Sequence, residues 1–432
     1  MLGDRERPSR IRAEQQRALV HEIRHEAYAY APFWKERLDQ AGVSPASVHG
    51  VDDLARLPLT ELDEVEDPAS LVLRPDGASI RRRGDRGLAL RLGIARLFGR
   101  VAALNERMLE PIYKPIHWLV QAGLPVGYSA EDLERLAELG RRWLEAAGLR
   151  RGDVLVGLVP PGPNLGFWEL AEGTRRSGVS SLLLSPVPSI EDVAGLRPTV
   201  LAGRPVDLAN LLEAAAEAGV HLDSLHTLLA VGEPLEDGVR DRLEFRGDGA
   251  AVLSAWAPPG VKSLWAECRG GQGGLHTSPA VELLEVVDPL TGAGVAPGEE
   301  GEVVWSSIGW RGTVMLRLRT DVYATLEEGR CPACGRTTPR IVPTSPLPAL
   351  AAALSAVLDR EERVSLWQIE LRTVEGEDEL IVFLAPVAGA DLVDVLDELD
   401  NRLSVTQFVV LDRSELDDRL VDHGDARVVD LR

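Results

Sequence analysis

All three cysteines of the chain fall late in the sequence, and their spacing suits a metal ion. Cys331 and Cys334 form a CxxC pair in GRCPACGRTTPR. Its short loop lets two thiolates point at one ion, and zinc usually takes four soft or borderline ligands in a tetrahedron. Cys268 supplies a third ligand and His276, in CRGGQGGLHT, a fourth. The expectation is a structural Zn2+ site on Cys268, His276, Cys331 and Cys334, because four protein ligands leave no open position for water. Such an ion would tie down a glycine-rich stretch that is otherwise costly to order. The competing reading is a buried thiol beside an inert or redox-active CxxC. A dithiol role has less behind it, since the motif does not open a helix in a setting that lowers a thiol pKa. Three cysteines in 432 residues do not make a disulfide scaffold, and the odd count fits a reducing compartment.

Other titratable groups carry weaker signals. His117 stands beside Trp118, and His221 and His226 stand alone, which is how histidines used for packing look. Asp153 follows Gly152 at the start of an apolar run and reads as a turn or cap residue. No Ser-His-Asp or Cys-His set follows from spacing. The sharpest basic run is Arg81, Arg82 and Arg83, followed by Arg86, Arg91 and Arg96, a solvated or acidic-partner patch or else a phosphate site. Around it the chain is acidic, with 47 basic against 68 acidic residues and a formal charge of −21. That charge disfavours nonspecific nucleic-acid binding and adhesion to anionic membranes. No apolar run is long enough to span a bilayer, and the opening MLGDRERPSRIRAEQQ lacks the apolar core of a secretory signal. A cytoplasmic protein is expected.

The elements that must position these groups follow from periodicity. Ile11, Ala18, Leu19, Ile23, Ala27 and Tyr30 recur at helical spacing and predict a helical entrance, interrupted at Pro32. A basic helix-prone stretch, 88–110, precedes a short segment with Tyr113, His117 and Trp118. Ser129-Ala130-Glu131-Asp132 then opens a helix expected to run to Ala147 and stop at Gly148. Apolar runs at 154–159, 181–184 and 225–231 alternate with amphipathic stretches at 166–176 and 208–218. That rhythm predicts a largely parallel, layered α/β core. Strands are expected at 280–287, 301–307 and 313–318, a boundary at 342–350, and beyond it a helix, two strands, a helix and a strand. The division predicted is a helical collar over 1–70, a core over 71–341 with a late strand-rich part, and a small α+β domain over 342–432.

Several segments, in order, carry a further signal: YAPFWKERLDQAGV and VDDLARLPLT, then YSAEDL, WAECRGGQGGLH, DPLTGAGVAPGEEGEVVWSS, LRLRTDV and CPACGRTTPRI. Together they resemble the phenylacetate–coenzyme A ligase branch of the adenylate-forming, AMP-binding enzymes, over nearly the whole chain. The resemblance implies a large AMP-binding lobe with layered sheets and helices, followed by a small α+β lobe. It implies a chemistry in which a carboxylate and ATP form an acyl-adenylate that coenzyme A converts to a thioester, with Mg2+ among the cofactors. By the same resemblance Trp256 would stack on adenine, Asp321 would accept from the ribose, and Arg317 or Arg319 would steady Asp321 or a phosphate. For the two arginines a salt-bridged edge strand is an equal reading.

The departures from that pattern concern one machine. A Ser/Thr/Gly-rich phosphate loop is expected before YSAEDL, and KPIHWLVQAGLPVG stands there instead. Pro259 and Gly260 fall where a Thr-Glu pair would hold magnesium, and Glu267 lies too late for that role. VPTSPLPAL replaces the hinge that would carry an aspartate. Two readings stay open. One is a degenerate relative, or pseudoenzyme, that binds a small carboxylate, a nucleotide or a protein partner without adenylating anything. The other is a working acyl- or aryl-CoA ligase with unusual loops.

Overall fold

The structure, a computed structural model, describes residues 4–75, 93–94, 97–99, 110–184, 189–235, 237–271, 274–344, 346–374, 377–402, 407–422 and 427–431. The arginine run from Arg81 to Arg96 and most of the helix-prone stretch 88–110 lie outside these residues. The chain divides into two units. The first comprises Met1–Leu284, Val304–Thr320 and Glu327–Val342, and the second Glu285–Val303, Asp321–Leu326 and Pro343–Arg432. Among the described residues no helix is long and apolar enough to cross a membrane.

The first unit begins with helices Pro8–His21 and Pro32–Gln40, joined through a π-helical turn at Glu22–Ala27. A hairpin follows, β1 (His117–Gln121) against β2 (Leu124–Tyr128), closed by the two residues Ala122 and Gly123. Both turn residues have positive φ, 46° and 83°, the geometry a tight hairpin demands of its central pair. Ser129 then starts helix Ala130–Ala146 as expected: its hydroxyl caps Asp132 N while Asp132 reaches back to Ser129 N.

The α/β rhythm read from the sequence is present. Strands β3 (Val154–Gly157), β4 (Ser180–Leu183), β5 (Val200–Gly203), β6 (Thr227–Val231) and β7 (Ala251–Trp256) lie in the order β4-β3-β5-β6-β7, all parallel. Parallel neighbours need crossovers. Helices Leu165–Ser177, Ile190–Gly195, Pro205–Ala218 and Asp237–Arg246 supply them. Beyond β7 the direction alternates through β8 (Trp265–Ala266), β9 (Leu275–His276) and, paired to β9, β13 (Arg340–Pro343). Three intervening strands, β10 (Glu282–Val287), β11 (Gly301–Ser307) and β12 (Leu318–Glu327), are each divided between the units along their length. The expected strand at 313–318 is a loop instead. Its apolar residues are buried, but Met315 is held by two hydrogen bonds with Ser307 Oγ rather than by a ladder.

One buried cation ties the first unit together. Lys262 is fully buried, and its Nζ donates to Gly127 O and Thr313 O, both at 3.0 Å. It lies 3.5 Å from Asp132 Oδ2 and over the rings of Tyr128 and Trp310, 4.4 and 4.7 Å from their centroids. Burial draws the ammonium down to about 8 against the pull of Asp132. Asp132 also accepts from Arg311 N (2.8 Å) and Gly312 N (2.7 Å).

The second unit holds a four-stranded sheet. Its central pair is β14 (Val364–Val374) antiparallel to β15 (Glu377–Pro386), flanked by β16 (Gln407–Val410) parallel to β15 and β17 (Val428–Asp430) parallel to β14. Helices Pro346–Leu358 and Val393–Arg402 pack on one face through Leu354, Leu358, Val395 and Leu399. Helix Arg413–Asp422 covers the other through Leu416 and Leu420, and there Arg419 pairs with buried Glu370 over the Phe383 ring. This is the small α+β lobe expected, with one helix, Arg413–Asp422, and one strand, β17, more than the sequence reading gave it.

Removing one member of the buried pair leaves the other charge without its counterpart, at about 3–5 kcal/mol. Asp132→Ala is therefore expected to lower the urea midpoint sharply, and adding Lys262→Met to restore only the part due to the stranded charge, since the Ser129, Arg311 and Gly312 amides stay without their acceptor. A pH prediction comes from Glu22. Burial, with Glu26 adding repulsion, raises its carboxyl from 4.5 to about 8 despite Arg311 and the Gly309 amide. A raised folded value favours the protonated folded state, so this contribution is complete at low pH and is lost as pH rises from 4.5 through about 8. Melting temperatures should fall across that window in the wild type and flatten in Glu22→Gln.

Candidate functional site

The carboxyl ends of the parallel strands enclose a cavity of about 390 Å³. Val159 and Pro160 follow β3, Arg204 follows β5, Gly232 and Glu233 follow β6, and Ala257 and Pro259 follow β7. Helix Leu165–Ser177 starts there behind its cap Asn164, and the hairpin lends Val120 and Gln121. This is where open parallel sheets place ligands, because strand ends and helix starts converge on one crevice. Its walls are mostly apolar and its size is that of a small-molecule site. The charged side chains lining it are Arg204, whose fork is held by Asp207 at 2.7 and 3.1 Å, and Glu233.

The hairpin decides what this crevice can grip. The segment directly before YSAEDL, where the resemblance calls for a phosphate loop, is a strand pair with a two-residue turn. Two turn residues cannot wrap a triphosphate as a run of consecutive amide and hydroxyl donors does. The last residue before the turn, Gln121, accepts Gly260 N on its Oε1 at 2.7 Å. Gly260 belongs to the stretch where the magnesium-linked Thr-Glu pair is expected. The two altered segments are thus hydrogen-bonded to each other.

The predicted metal ligands are brought together. Ligand atoms of Cys268, His276, Cys331 and Cys334 all lie within 4.8 Å of one another. Cys268 Sγ is 3.7 Å from Cys331 Sγ, and Cys334 Sγ is 3.3 Å from His276 Nε2. Thiolates on tetrahedral zinc at ~2.3 Å sit ~3.8 Å apart, so the cage already has the required size. Thr338 Oγ1 lies 2.9 Å from His276 Nδ1, which fixes the ring with Nε2 toward the thiols when Nδ1 carries the proton. Gly271 is needed beside it, since a Cβ there would meet Cys268 Sγ at 2.8 Å. With protein groups alone, burial pushes the Cys268 thiol up to about 12 and the His276 imidazole down to about 4. A divalent cation would supply the charge that favours thiolate and neutral imidazole.

The residues singled out for nucleotide contact stand elsewhere. Trp256 is 7% exposed at the end of β7, edge-on to Trp265 with centroids 6.1 Å apart, and Ala257 and Pro259 beside it form the cleft wall. Arg317, with φ of 46°, is buried and donates through Nη1 to Leu57 O, while Arg319 lies 3.4 Å from Glu61. Both arginines grip the entrance segment. Asp321 belongs to the second unit and is exposed, with a positive φ of 55°. His117 stands edge-on to Trp168 with ring centroids 4.1 Å apart, and burial lowers its pKa. His226 Nε2 meets Asp153 Oδ1 at 3.0 Å while Nδ1 meets Thr227 Oγ1 at 2.9 Å, a relay whose hydroxyl is buried and already takes Arg269. It has no accessible nucleophile. Lys262 and Gln121 were missed from sequence because an isolated lysine or glutamine has no periodic or motif signal.

No protein-family model matches the chain. Among curated proteins it is similar to phenylacetate-coenzyme A ligase of Thermus thermophilus, 28% identical over 348 residues that cover 77% of this chain and 69% of the relative. Proteins of the same name from Pseudomonas putida and Escherichia coli are each 24% identical over 74% of the chain, covering 67% and 68% of their own lengths. Among solved structures, an open conformation of 2-hydroxyisobutyryl-CoA ligase in complex with 2-HIB-AMP and CoA superposes with a TM-score of 0.63 at 18% identity, covering 94% of this chain and 88% of that one. The same ligase in its postadenylation state with 2-HIB-AMP gives 0.62 at 19%, covering 96% and 92%.

Glu267, next to Cys268, is occupied structurally: buried, it accepts Ser254 N at 2.8 Å and Arg240 Nη2 at 2.9 and 3.1 Å. Glu267→Ala should cost about 3 kcal/mol by stranding those donors, measured by denaturant unfolding. Ligand affinity of the folded fraction should not change.

Proposed function

We propose that the chain is an AMP-binding, adenylate-forming relative, a reading supported by its likeness to phenylacetate-coenzyme A ligases and to a 2-hydroxyisobutyryl-CoA ligase fold, and that it binds a small organic ligand in the strand-end cleft without adenylating it. One observation carries this reading. Gln121 and Gly260, which stand in the segments that would hold triphosphate and magnesium, are bonded to each other at 2.7 Å, and the strand that Gln121 ends closes in a turn of two residues. Among the described residues no loop of consecutive donors faces the cleft, and concentrated phosphate charge needs such donors. ATP, Mg2+ and coenzyme A therefore do not enter the proposed function. The fold can outlast the chemistry grafted on it.

A second reading keeps ATP-dependent acyl- or aryl-carboxylate–CoA ligation. The similarity to phenylacetate-coenzyme A ligases over 77% of the chain favours it. It would have to draw its phosphate donors from the arginines between positions 81 and 96, outside the described residues. Calorimetric titration with ATP and Mg2+ separates the two, together with a pyrophosphate-release assay on phenylacetate and 2-hydroxyisobutyrate. No saturable ATP binding and no carboxylate-dependent pyrophosphate is expected. Release of pyrophosphate with either acid would establish the ligase and end the proposal.

The cysteine cluster completes the reading as a structural Zn2+ site held by Cys268, His276, Cys331 and Cys334. Four ligands close the tetrahedron, so the ion would contribute folding energy and no catalytic water. Purified wild type should carry about one zinc per chain, against near zero in Cys334→Ser, with a melting temperature several degrees lower. Equal, near-zero zinc in both, after purification in metal-replete medium, would falsify the site.

A further inference from the structure

The loop that carries two of the four cage ligands is gripped from outside by residues 4–6. Asp4 sits between two guanidinium groups, Oδ1 at 3.0 Å from Arg142 Nη1 and Oδ2 at 3.0 Å from Arg336 Nε. Its carbonyl accepts Thr337 N at 2.8 Å, and Thr337 Oγ1 donates to Glu6 O. Arg5 Nη2 is 3.5 Å from Cys334 O. These three residues thus lie along 334–337, which leads from the ligand Cys334 to Thr338, the partner of the ligand His276.

The CxxC loop closes on itself, Cys331 N bonding Arg336 O at 2.7 Å and Gly335 N bonding Cys331 O at 2.9 Å. Its place against the rest of the unit is set from two sides: by the ligands Cys268 and His276, and by Asp4, Glu6 and Arg142. Cys268, His276 and Cys331 are buried, whereas Cys334 is half-buried. A cavity of about 630 Å³ opens beside Cys334, walled by Asp4, Arg5, Glu6 and Arg336. Residues 4–6 therefore stand at the accessible side of the cage. The helix that follows them has anchors of its own: Gln15 Nε2 donates to Glu282 O at 2.9 Å, and Arg12 Nε to Glu328 Oε1 at 2.9 Å. Residues 4–6 can come away while helix Pro8–His21 stays docked, a local opening and not a global one.

We propose that residues 4–6 are a metal-dependent clasp: zinc in the cage orders the loop 331–338 that grips them, and the gripped segment in turn retains the ion. The inference rests on the reading of Cys268, His276, Cys331 and Cys334 as a zinc site. Its two halves are one coupling, because whatever the ion adds to the grip the grip must add to ion affinity.

Limited trypsin digestion of the full chain reads the first half through the Arg5–Glu6 bond. Zinc-free chain, prepared by chelation and desalting, should be cut there about tenfold faster or more than zinc-loaded chain, while amide protection of β5 and β6 is unchanged. Competition with a chelating dye reads the second half. Asp4→Ala removes the carboxylate that both arginines hold and leaves all four ligands in place, so its zinc dissociation constant should rise about tenfold. Thr337→Val, which loses only the bond to Glu6 O, should show a smaller rise. Equal cutting with and without zinc, or wild-type zinc affinity in folded Asp4→Ala, overturns the inference and leaves the metal site intact. Loss of protection throughout β5 and β6 on chelation also overturns it, since the coupling is then not local. A wild-type chain that binds no zinc overturns the metal site and the inference with it.

Discussion

The first unit is organised around a charge that ought not to be buried. Moving an ammonium out of water costs several kcal/mol even after relaxation, and a single opposite charge rarely offsets it. Lys262 meets two carbonyls, one carboxylate and two aromatic faces, which together replace its hydration shell. The groups that do this come from the hairpin end, the start of helix Ala130–Ala146, the loop at Trp310–Thr313 and the stretch after β7. None can shift without exposing the cation to an unmatched environment. The same arrangement consumes Asp132, which accepts backbone amides from Ser129, Arg311 and Gly312 besides facing Lys262. The YSAEDL segment is therefore fully employed as structure, and its resemblance to a ligase motif says nothing of catalysis by itself.

That rigidity bears on the cleft. The hairpin end is pinned at Gly127 and Tyr128 by Lys262, and beside the turn Gln121 is pinned to Gly260. A two-residue turn between such strands has no slack from which to build a wrapping loop. The cleft's polarity is thus settled by the hairpin and the β7 stretch together. The cysteine cluster belongs to the same unit, but its four ligands are tied by Thr338, Gly271 and the β9–β13 pairing, with no side chain in common with the cleft.

Much of this was legible in the sequence, for physical reasons that also explain the misses. Buried parallel strands read as unbroken apolar runs, so β3 and β6 were visible as such. The Ser129 capping box was visible because its residue types serve few other purposes at that spacing. The four metal-cage residues were visible because cysteine is rare in this chain and its pair is close. The hairpin was not, since Pro125 inside β2 and prolines at 111 and 115 read as breaks. The strand expected at 313–318 follows from Val314, Met315 and Leu316, whose burial is real but which lie in a loop, Val314 bonded to Leu71 and Met315 to Ser307 at the end of β11. Burial fixes composition more firmly than it fixes conformation.

What no local pattern could show was the pairing of distant substitutions. Gln121 and Gly260 are 139 positions apart, and each alone reads as a loss relative to the ligases the chain resembles. In the fold they are one contact. A degenerate loop by itself would leave a hole that water or a wandering side chain fills. Here the carboxamide oxygen closes the gap between the two altered segments, so the change that removes the phosphate grip leaves a packed contact in its place.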